Sequence, residues 1–224
     1  MKFLDIAPLQ SINNFLSHVC VGECAIQGKI EAYSCKHART DKKLSLSLEH
    51  EILDYLGQSS DSDPPSPFQF LSTRSSRKTL IYLILTLNQI YPDYDVSAVQ
   101  AQNFFKEEVW NGFKQIFETY LFETSKEWSA ANGGSSFFEN LYKVLDEVVK
   151  LPECEIYSYN PDSDGDPFME QGAIWSFNFF FYNRKLKRVV SFRCCCLSNL
   201  AADGFLTAGP YEEEDGDIFN DMDM

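Results

Sequence analysis

The densest alternation of side-chain types in the chain lies between Gly172 and Arg193. In its first half, every second residue is aromatic: Trp175, Phe177, Phe179 and Phe181. The residues between them are polar at first and aromatic at the end: Ser176, Asn178, Phe180 and Tyr182. Because successive side chains of a strand point to opposite faces, this pattern predicts a central strand covered on both sides. The polar residues 183–185 predict a reversal, and residues 186–194 predict a return strand with one buried face. The segment is therefore predicted to form a β-hairpin.

Upstream of the hairpin, the apolar spacing shifts between strand and helix periods. Pro8, followed by apolar residues at helical spacing, predicts a short amphipathic helix. Loose alternation from Cys24 to Cys35 predicts one strand, or a tight pair of strands, bent at Gly28. The segment from Leu80 to Tyr91 is apolar on all sides, which is typical of a helix inside the core.

Two more helices and a strand are predicted between this core helix and the hairpin. Large apolar residues at helical spacing predict a long helix from about Ser97 to Thr124. Ser136 and Glu139 are spaced as a capping box that starts a further helix, and Pro152 ends it. Residues 154–159 are predicted to form a strand.

This order of elements predicts an α+β fold in a single domain, with a central antiparallel sheet of about five strands and helices on both faces. Residues 1–44 supply a helix and strands, residues 45–75 form a mobile Ser/Pro/Asp-rich linker that can hold a short helix, and residues 76–200 complete the same domain. Residues 201–224 are predicted to be a disordered acidic tail. Since the sheet takes strands from both ends of the chain, the part before the linker must dock on the part after it.

Charge and cysteine content narrow the class of protein. The formal net charge is −14, and seven acidic residues among the last fourteen place half of it in the tail, which is either a solvated end or an arm for a basic partner. The seven cysteines include three adjacent ones, a poor disulfide framework that predicts a reduced intracellular chain. No secretory signal is visible, and the most apolar helix candidate has about 12 residues where a membrane span needs ~20.

Few side chains are placed for catalysis or metal binding. The run Asp162–Asp166 alternates oxygen donors, but its glycine stands at the fourth position instead of the sixth, so a calcium loop is not predicted. Cys20, Cys24, Cys35 and His37 match no common zinc spacing, and Cys35 with His37 makes a poor nucleophilic pair. No serine-hydrolase, phosphate-loop or dinucleotide motif occurs. We therefore predict neither an enzyme nor a bound cofactor.

A cluster of four cations occupies the turn of the predicted hairpin: Arg184, Lys185, Lys187 and Arg188. It is a solvated turn, a nuclear-import signal or a contact for an acidic partner. Because an aromatic sheet flanked by cations is how RRM-type modules read RNA, an RNA-binding module is the alternative function. Burial of Phe177, Phe179 and Phe181 would exclude it. The glycine-containing RNP motif is absent, and the net charge opposes phosphate binding.

Two serines of the predicted linker are candidates for phosphorylation. Ser66 precedes Pro67, as proline-directed kinases require, and Ser60 is followed by the acidic residues Asp61 and Asp63. Phosphorylation would add about −1.5 to −2 charge at each site. The linker is therefore a candidate regulatory segment.

Several blocks of sequence, taken in order, carry a family resemblance: Gly28–Cys35, Ser76–Ile84, Tyr91–Asp95, Ile156–Asp162, Asp166–Phe168 and Trp175–Arg188. They resemble the successive blocks of the Maf-type repressors of RNA polymerase III. The resemblance covers most of the chain, its last block is highly specific, and a plant member is indicated.

The resemblance implies a stress-responsive repressor that binds RNA polymerase III and the TBP-Brf initiation factor and prevents promoter assembly. It also implies linker phosphorylation by TOR-linked kinases, here at Ser60 and Ser66, with reversal by phosphatases. Arg184 to Arg188 match a family nuclear-localisation segment, so shuttling between nucleus and cytoplasm is expected. The expected acidic contacts with partners are Asp162, Asp164, Asp166, Glu212, Glu213, Glu214 and Asp215. We expect a monomer that binds no membrane and no specific nucleic-acid sequence.

Overall fold

The computed structural model describes residues 1–17, 19–36, 39–58, 71, 73–96, 99, 101–107, 110–161, 166–168 and 172–198. Within these ranges the strands are Lys2–Leu4 (β1), Val19–Val21 (β2), Cys24–Ser34 (β3), Phe104–Glu107 (β4), Glu155–Tyr159 (β5), Ala173–Asn183 (β6) and Arg188–Ser198 (β7). They form one antiparallel sheet in the order β1-β3-β7-β6-β5-β4, with β2 also paired to β3. The α+β class is confirmed, but the sheet has seven strands instead of about five.

Helices cover both faces of this sheet, as predicted. They are Ala7–Leu16 (α1), Arg39–Gln58 (α2), Arg74–Ile90 (α3), Trp110–Tyr120 (α4), Phe122–Ala131 (α5) and Phe137–Val149 (α6). The face packed on α1, α4, α5 and α6 forms the first core, and the face packed on α2 and α3 forms the second. Among the residues just given, no helix has both the length and the apolar character needed to cross a bilayer.

The hairpin of β6 and β7 confirms the prediction from alternation. In β6, Phe177, Phe179 and Phe181 belong to the first core, whereas Phe180 and Tyr182 belong to the second. The prediction that the return strand buries only one face is wrong. Both faces of β7 are buried, because α3 packs over the face that was expected to meet solvent.

Strand β3 joins the two ends of the chain. It is one continuous strand that pairs with β7 from Cys24 opposite Ser198 to Ser34 opposite Arg188. A Cβ atom on Gly28 would lie 3.2 Å from Leu16 and 3.2 Å from the Sγ of Cys194, so glycine allows α1 to approach this strand closely. The N-terminal part therefore completes the sheet formed by the C-terminal part.

The predicted long helix from Ser97 to Thr124 is wrong. The chain there forms a 3-10 turn at Ala101–Asn103, then β4, then α4 and α5. The ring of Phe104 packs 5.0 Å from that of Tyr159 and 5.9 Å from that of Phe180, measured between centroids. Pairing with β5 and burial in the second core thus override the helical spacing of the local sequence.

The predicted linker begins inside a helix. The boundary at residues 44 and 45 lies within α2, and the short helix that the linker was expected to hold is replaced by the second half of this longer one. Leu48 and Leu71 are both buried in the second core. Residues 59–70, including Ser60 and Ser66, lie outside the described ranges, as does the predicted tail.

Asn13 completes the hydrogen bonding of β3 between its two short neighbours. β1 pairs with residues 32–34 and β2 with residues 24–26, which leaves the backbone between them without a strand. There the Asn13 amide donates to the Ile30 carbonyl oxygen at 2.8 Å, and its oxygen accepts from the Ile30 N–H at 2.7 Å. One side chain thus reproduces the paired bonds of a neighbouring strand.

Asn13→Ala is expected to lower the free energy of unfolding by about 1–3 kcal/mol, because a half-buried N–H and a carbonyl lose their partner. Urea unfolding followed by circular dichroism measures the change. Asn14→Ala, an exposed site in the same helix, is the matched control and should stay within about 0.5 kcal/mol of the parent. Equal stabilities of the two variants would contradict this role.

Candidate functional site

The turn between β6 and β7 presents the four predicted cations, and we call Arg184, Lys185, Lys187 and Arg188 the basic turn. Asn183, which is fully buried, fixes this turn to the end of α6. Its amide donates to the Val149 carbonyl oxygen at 2.7 Å, and its side-chain oxygen accepts from the Leu186 N–H at 2.9 Å. The cations therefore extend from a rigid base.

The basic turn is also tied to its neighbours by polar contacts. Arg184 Nη2 lies 3.2 Å from Glu155 Oε1, and Lys185 Nζ lies 3.1 Å from Glu153 Oε2. Arg188 donates to the Val148 carbonyl oxygen at 2.9 Å. Ion pairs at exposed sites are individually weak. The Arg184 and Lys185 side chains, 49% and 80% exposed, are accordingly accessible to a partner.

A cavity of about 510 Å³ opens beside Arg184, between the first turns of α3 and the edge strand β4. Its lining includes the apolar side chains of Leu80, Leu83 and Phe104 and the charged side chains of Lys106, Glu155 and Arg184. A largely apolar cavity with a few charged groups is suited to holding an apolar side chain of a partner protein. The sequence did not predict this cavity, because β4, which forms one of its walls, was expected to be part of a long helix.

The acidic residues predicted to meet partners differ in what the structure shows of them. Asp166 is only 3% exposed. It accepts from the Tyr159 hydroxyl and, at 2.8 Å, from the Phe168 N–H. The prediction that it contacts a partner is therefore wrong, because its carboxylate is used inside the protein. The others, which are Asp162, Asp164, Glu212, Glu213, Glu214 and Asp215, lie outside the described residues.

The aromatic face of β6 is closed to nucleic acid. Phe177, Phe179 and Phe181 are 8%, 6% and 0% exposed. The ring of Phe113 in α4 stands edge-on to those of Phe179 and Phe181, at centroid distances of 4.8 and 5.4 Å. The alternative of an RNA-binding module on this face is therefore wrong, since stacking on bases requires exposed rings.

All seven cysteines lie in the described residues, where none forms a disulfide, and several are buried. Burial raises the pKa of Cys35 and the pKa of Cys154 to about 12 each. Such thiols stay protonated near neutral pH and are poor nucleophiles. His37, the other member of the nucleophilic pair considered above, lies outside the described residues. In the described part of the chain, no cluster of three or more His, Cys, Asp or Glu side chains could hold a metal ion.

The raised thiol pKa values predict that the protein loses stability in alkali. A cysteine in the unfolded chain ionises near pH 9, whereas these two thiols stay protonated in the fold until about pH 12. The stability that their burial contributes is therefore fully present below pH 9 and is lost as the pH rises toward 12, because only the unfolded chain ionises in that range. The loss reaches about 1.4 kcal/mol per pH unit for each thiol. Urea unfolding at several pH values between 8 and 10.5 measures the slope.

Two variants test whether these thiols cause the slope. Cys154→Ser keeps a donor for the Val149 carbonyl oxygen, which the thiol reaches at 3.1 Å, but the hydroxyl does not ionise. Its stability should fall less steeply with pH than that of the parent. Cys20→Ser, at an exposed site, should keep the parent slope. A parent slope in Cys154→Ser would contradict the assignment.

Residues 26–193, which run from β3 to β7 and include the basic turn and the cavity beside Arg184, match the model of the Maf1 regulator family. The chain belongs to the Maf1 family. This confirms the resemblance drawn from the sequence blocks, and all of those blocks lie within the matched range.

Relatives of this Maf1 chain match along most of its length. The fission yeast protein (Schizosaccharomyces pombe) named repressor of RNA polymerase III transcription maf1 is 35% identical over 85% of this chain and 80% of its own. A repressor of RNA polymerase III transcription from Dictyostelium discoideum is 31% identical, with both chains fully covered. Two crystal structures of citrus MAF1 are 68% and 69% identical, with TM-scores of 0.73 and 0.74. They cover 86% of this chain and 97% or 100% of their own, so a plant origin fits.

Proposed function

We propose that this chain represses transcription by RNA polymerase III. The observation that carries the proposal is the family match over residues 26–193, together with relatives that are named as repressors of this polymerase. The closed aromatic face also removes the RNA-binding alternative. The chain is accordingly a regulatory protein that acts through protein contacts.

The proposed mechanism is occupancy of the surface on which the polymerase and the TBP-Brf initiation factor meet. The basic turn and the cavity beside Arg184 offer cations and an apolar wall on one rigid edge. A net charge of −14 suits the rest of the chain, including Asp162, Asp164 and the tail, to the basic surfaces of proteins that bind nucleic acid. The bound repressor would thus prevent the polymerase from assembling on its promoters.

Expression in fission yeast that lacks its own maf1 tests the repressor function. The parent chain should restore the fall in tRNA precursors when nutrients are withdrawn. Phe113→Ala, which disrupts the first core, should not. Precursor levels that stay high with a well-folded parent chain would contradict the proposal.

The contact surface is tested by binding to purified polymerase III at low salt. Lys185→Glu reverses a charge in the basic turn and should weaken binding several-fold. Lys143→Glu reverses an exposed charge on α6, outside the basic turn, and should leave affinity unchanged. Equal affinities of the two variants would remove the basic turn from the contact.

Regulation is proposed to act through phosphorylation of Ser60 and Ser66, with kinases and phosphatases as further partners. The added charge, about −1.5 to −2 at each serine, would weaken binding to the polymerase. Polymerase III should be captured from nuclear extract by the double Ser→Ala variant and much less by the double Ser→Glu variant. Equal capture by both would oppose this regulation.

The basic turn is also proposed to act as a nuclear-import signal, which gives a protein that shuttles between cytoplasm and nucleus. Lys185 and Lys187 are both exposed at the turn. A fluorescent fusion that carries Lys185→Ala with Lys187→Ala should accumulate in the cytoplasm. The control exchanges the exposed Lys42 and Lys43 of α2 for alanine and should keep the parent distribution. The proposal fails if both fusions are distributed alike.

A further inference from the structure

In the described part of the chain, one region of the sheet has no helix packed over it. On the second face, α3 packs over the half that holds Phe180 and Val189, whereas the other half lines a cavity of about 270 Å³. Strand register places Lys29, Arg193 and Asn178 side by side in its wall. The described wall carries two cations and no carboxylate, in a chain whose net charge is −14. We call it the cationic cavity.

The arginine of the cationic cavity, Arg193, is held in place by contacts with Tyr91 and Glu31. The guanidinium of Arg193 lies 5.0 Å over the ring of Tyr91 and donates to the Tyr91 hydroxyl at 2.6 Å. Its Nη2 is 3.6 Å from Glu31, and Lys29 Nζ is 2.8 Å from the same carboxylate. One carboxylate between two cations leaves one net positive charge. Lys29 is 53% exposed and Arg193 is 21% exposed, so both can meet a ligand.

The polar groups around these cations suit an acidic peptide. The exposed side chains of Gln27 and Ser176 border the same cavity and can bond to a peptide backbone. Tyr91 and Phe168 add aromatic surface on another side. A peptide with several adjacent carboxylates could therefore pair with the two cations, form hydrogen bonds with the polar side chains and pack against the aromatic rings.

We propose that the cationic cavity binds the acidic C-terminal tail of this same chain, around residues 212–217. β7 ends at Ser198, three residues after Cys195 in the cavity wall, so the last residue described before the tail lies close to the site. The segment between Ser198 and Glu212 spans roughly 20 Å as a coil and at most about 50 Å when extended. Tethering at this length gives an effective concentration on the order of millimolar.

Seven acidic residues in the last fourteen complement the charge of the cavity. The docked tail would occupy the cations that an acidic partner needs, and such a partner would have to displace it. This docking does not depend on the proposed action on polymerase III, because it needs only the body and the tail. It should weaken with salt, since both cations are at least partly exposed.

Carbodiimide cross-linking of the full chain tests the docking, because this reagent joins amines to carboxylates that are in contact. In dilute protein at low salt, mass spectrometry should find Lys29 joined to a carboxylate of residues 212–217. The yield should exceed that at the exposed Lys143 of α6 at least fivefold and fall in about 0.5 M salt. Equal yields at both lysines, a product only with Glu31, or tail products that appear only in concentrated protein would overturn the proposal.

Binding of a free peptide with the sequence of residues 209–224 gives a second readout on folded full-length protein. A variant with residues 212–215 changed to Gln and Asn should bind this peptide at least tenfold more tightly than the parent, because its own tail no longer competes. Adding Lys29→Glu to that variant should remove the gain, whereas adding Lys143→Glu should not. Equal peptide affinity of the parent and the tail variant would overturn the proposal.

Discussion

Residues 71–224, expressed without residues 1–70, are expected to show no cooperative unfolding transition. The deletion removes β3, which pairs along the whole of β7, and takes Leu16 and Ile30 from the first core and Tyr33 and Leu48 from the second. Each large apolar side chain removed from water contributes about 1.5–3 kcal/mol. The loss over both cores exceeds the ~5–15 kcal/mol by which domains are stable.

Urea titration followed by tryptophan fluorescence and circular dichroism measures this result. The matched control is the complete chain, cut once at a protease site introduced within residues 59–70. Its two pieces should elute together from a sizing column and unfold in a single transition, because the contacts between them are retained. If the shortened fragment unfolded with the same midpoint and slope as the complete chain, the N-terminal part would not belong to the same folding unit.

Phe113→Ala is expected to lower the free energy of unfolding by about 3–5 kcal/mol. Phe113 is 1% exposed and lies where α4 meets the sheet. Its ring is stacked on that of Phe117 at 5.5 Å and stands edge-on to those of Phe179 and Phe181. Alanine would leave a cavity that these rings cannot close without moving from their favoured geometry.

The control for this variant is an exposed phenylalanine at the start of the next helix. Phe122 is 54% exposed at the start of α5, so Phe122→Ala should change stability by no more than about 0.5 kcal/mol. Both variants are measured by urea unfolding at the same pH. A loss below about 1 kcal/mol for Phe113→Ala would contradict the assignment of this ring to the centre of the first core.

Elements specified by local rules could be predicted from the sequence. Alternation alone indicated that both faces of β6 are buried, and the Ser136 hydroxyl does accept from the Glu139 N–H, as the capping box requires. β4 could not be predicted in this way, because its residues share the helical spacing of the following segment. Only pairing with Glu155–Tyr159, far along the chain, makes it a strand.

The candidate site was predictable to the same extent. The basic turn was visible as four cations in five residues, since clustered charge needs no knowledge of the fold. Its support was not visible, because Arg184 meets Thr79 and Glu155, which are remote in sequence. Asp166 shows the converse error: an acidic run suggests exposure, but Tyr159 and Phe168 hold this carboxylate inside.

Transcription with purified components tests the central claim, that this body represses RNA polymerase III, most directly. The full chain is titrated into two reactions, one with a tRNA gene and polymerase III, the other with a messenger-RNA promoter and polymerase II. We predict that the tRNA transcript falls in proportion to the bound repressor while the other transcript stays constant. An unchanged tRNA transcript at saturating folded protein, or an equal fall in both reactions, would contradict the claim.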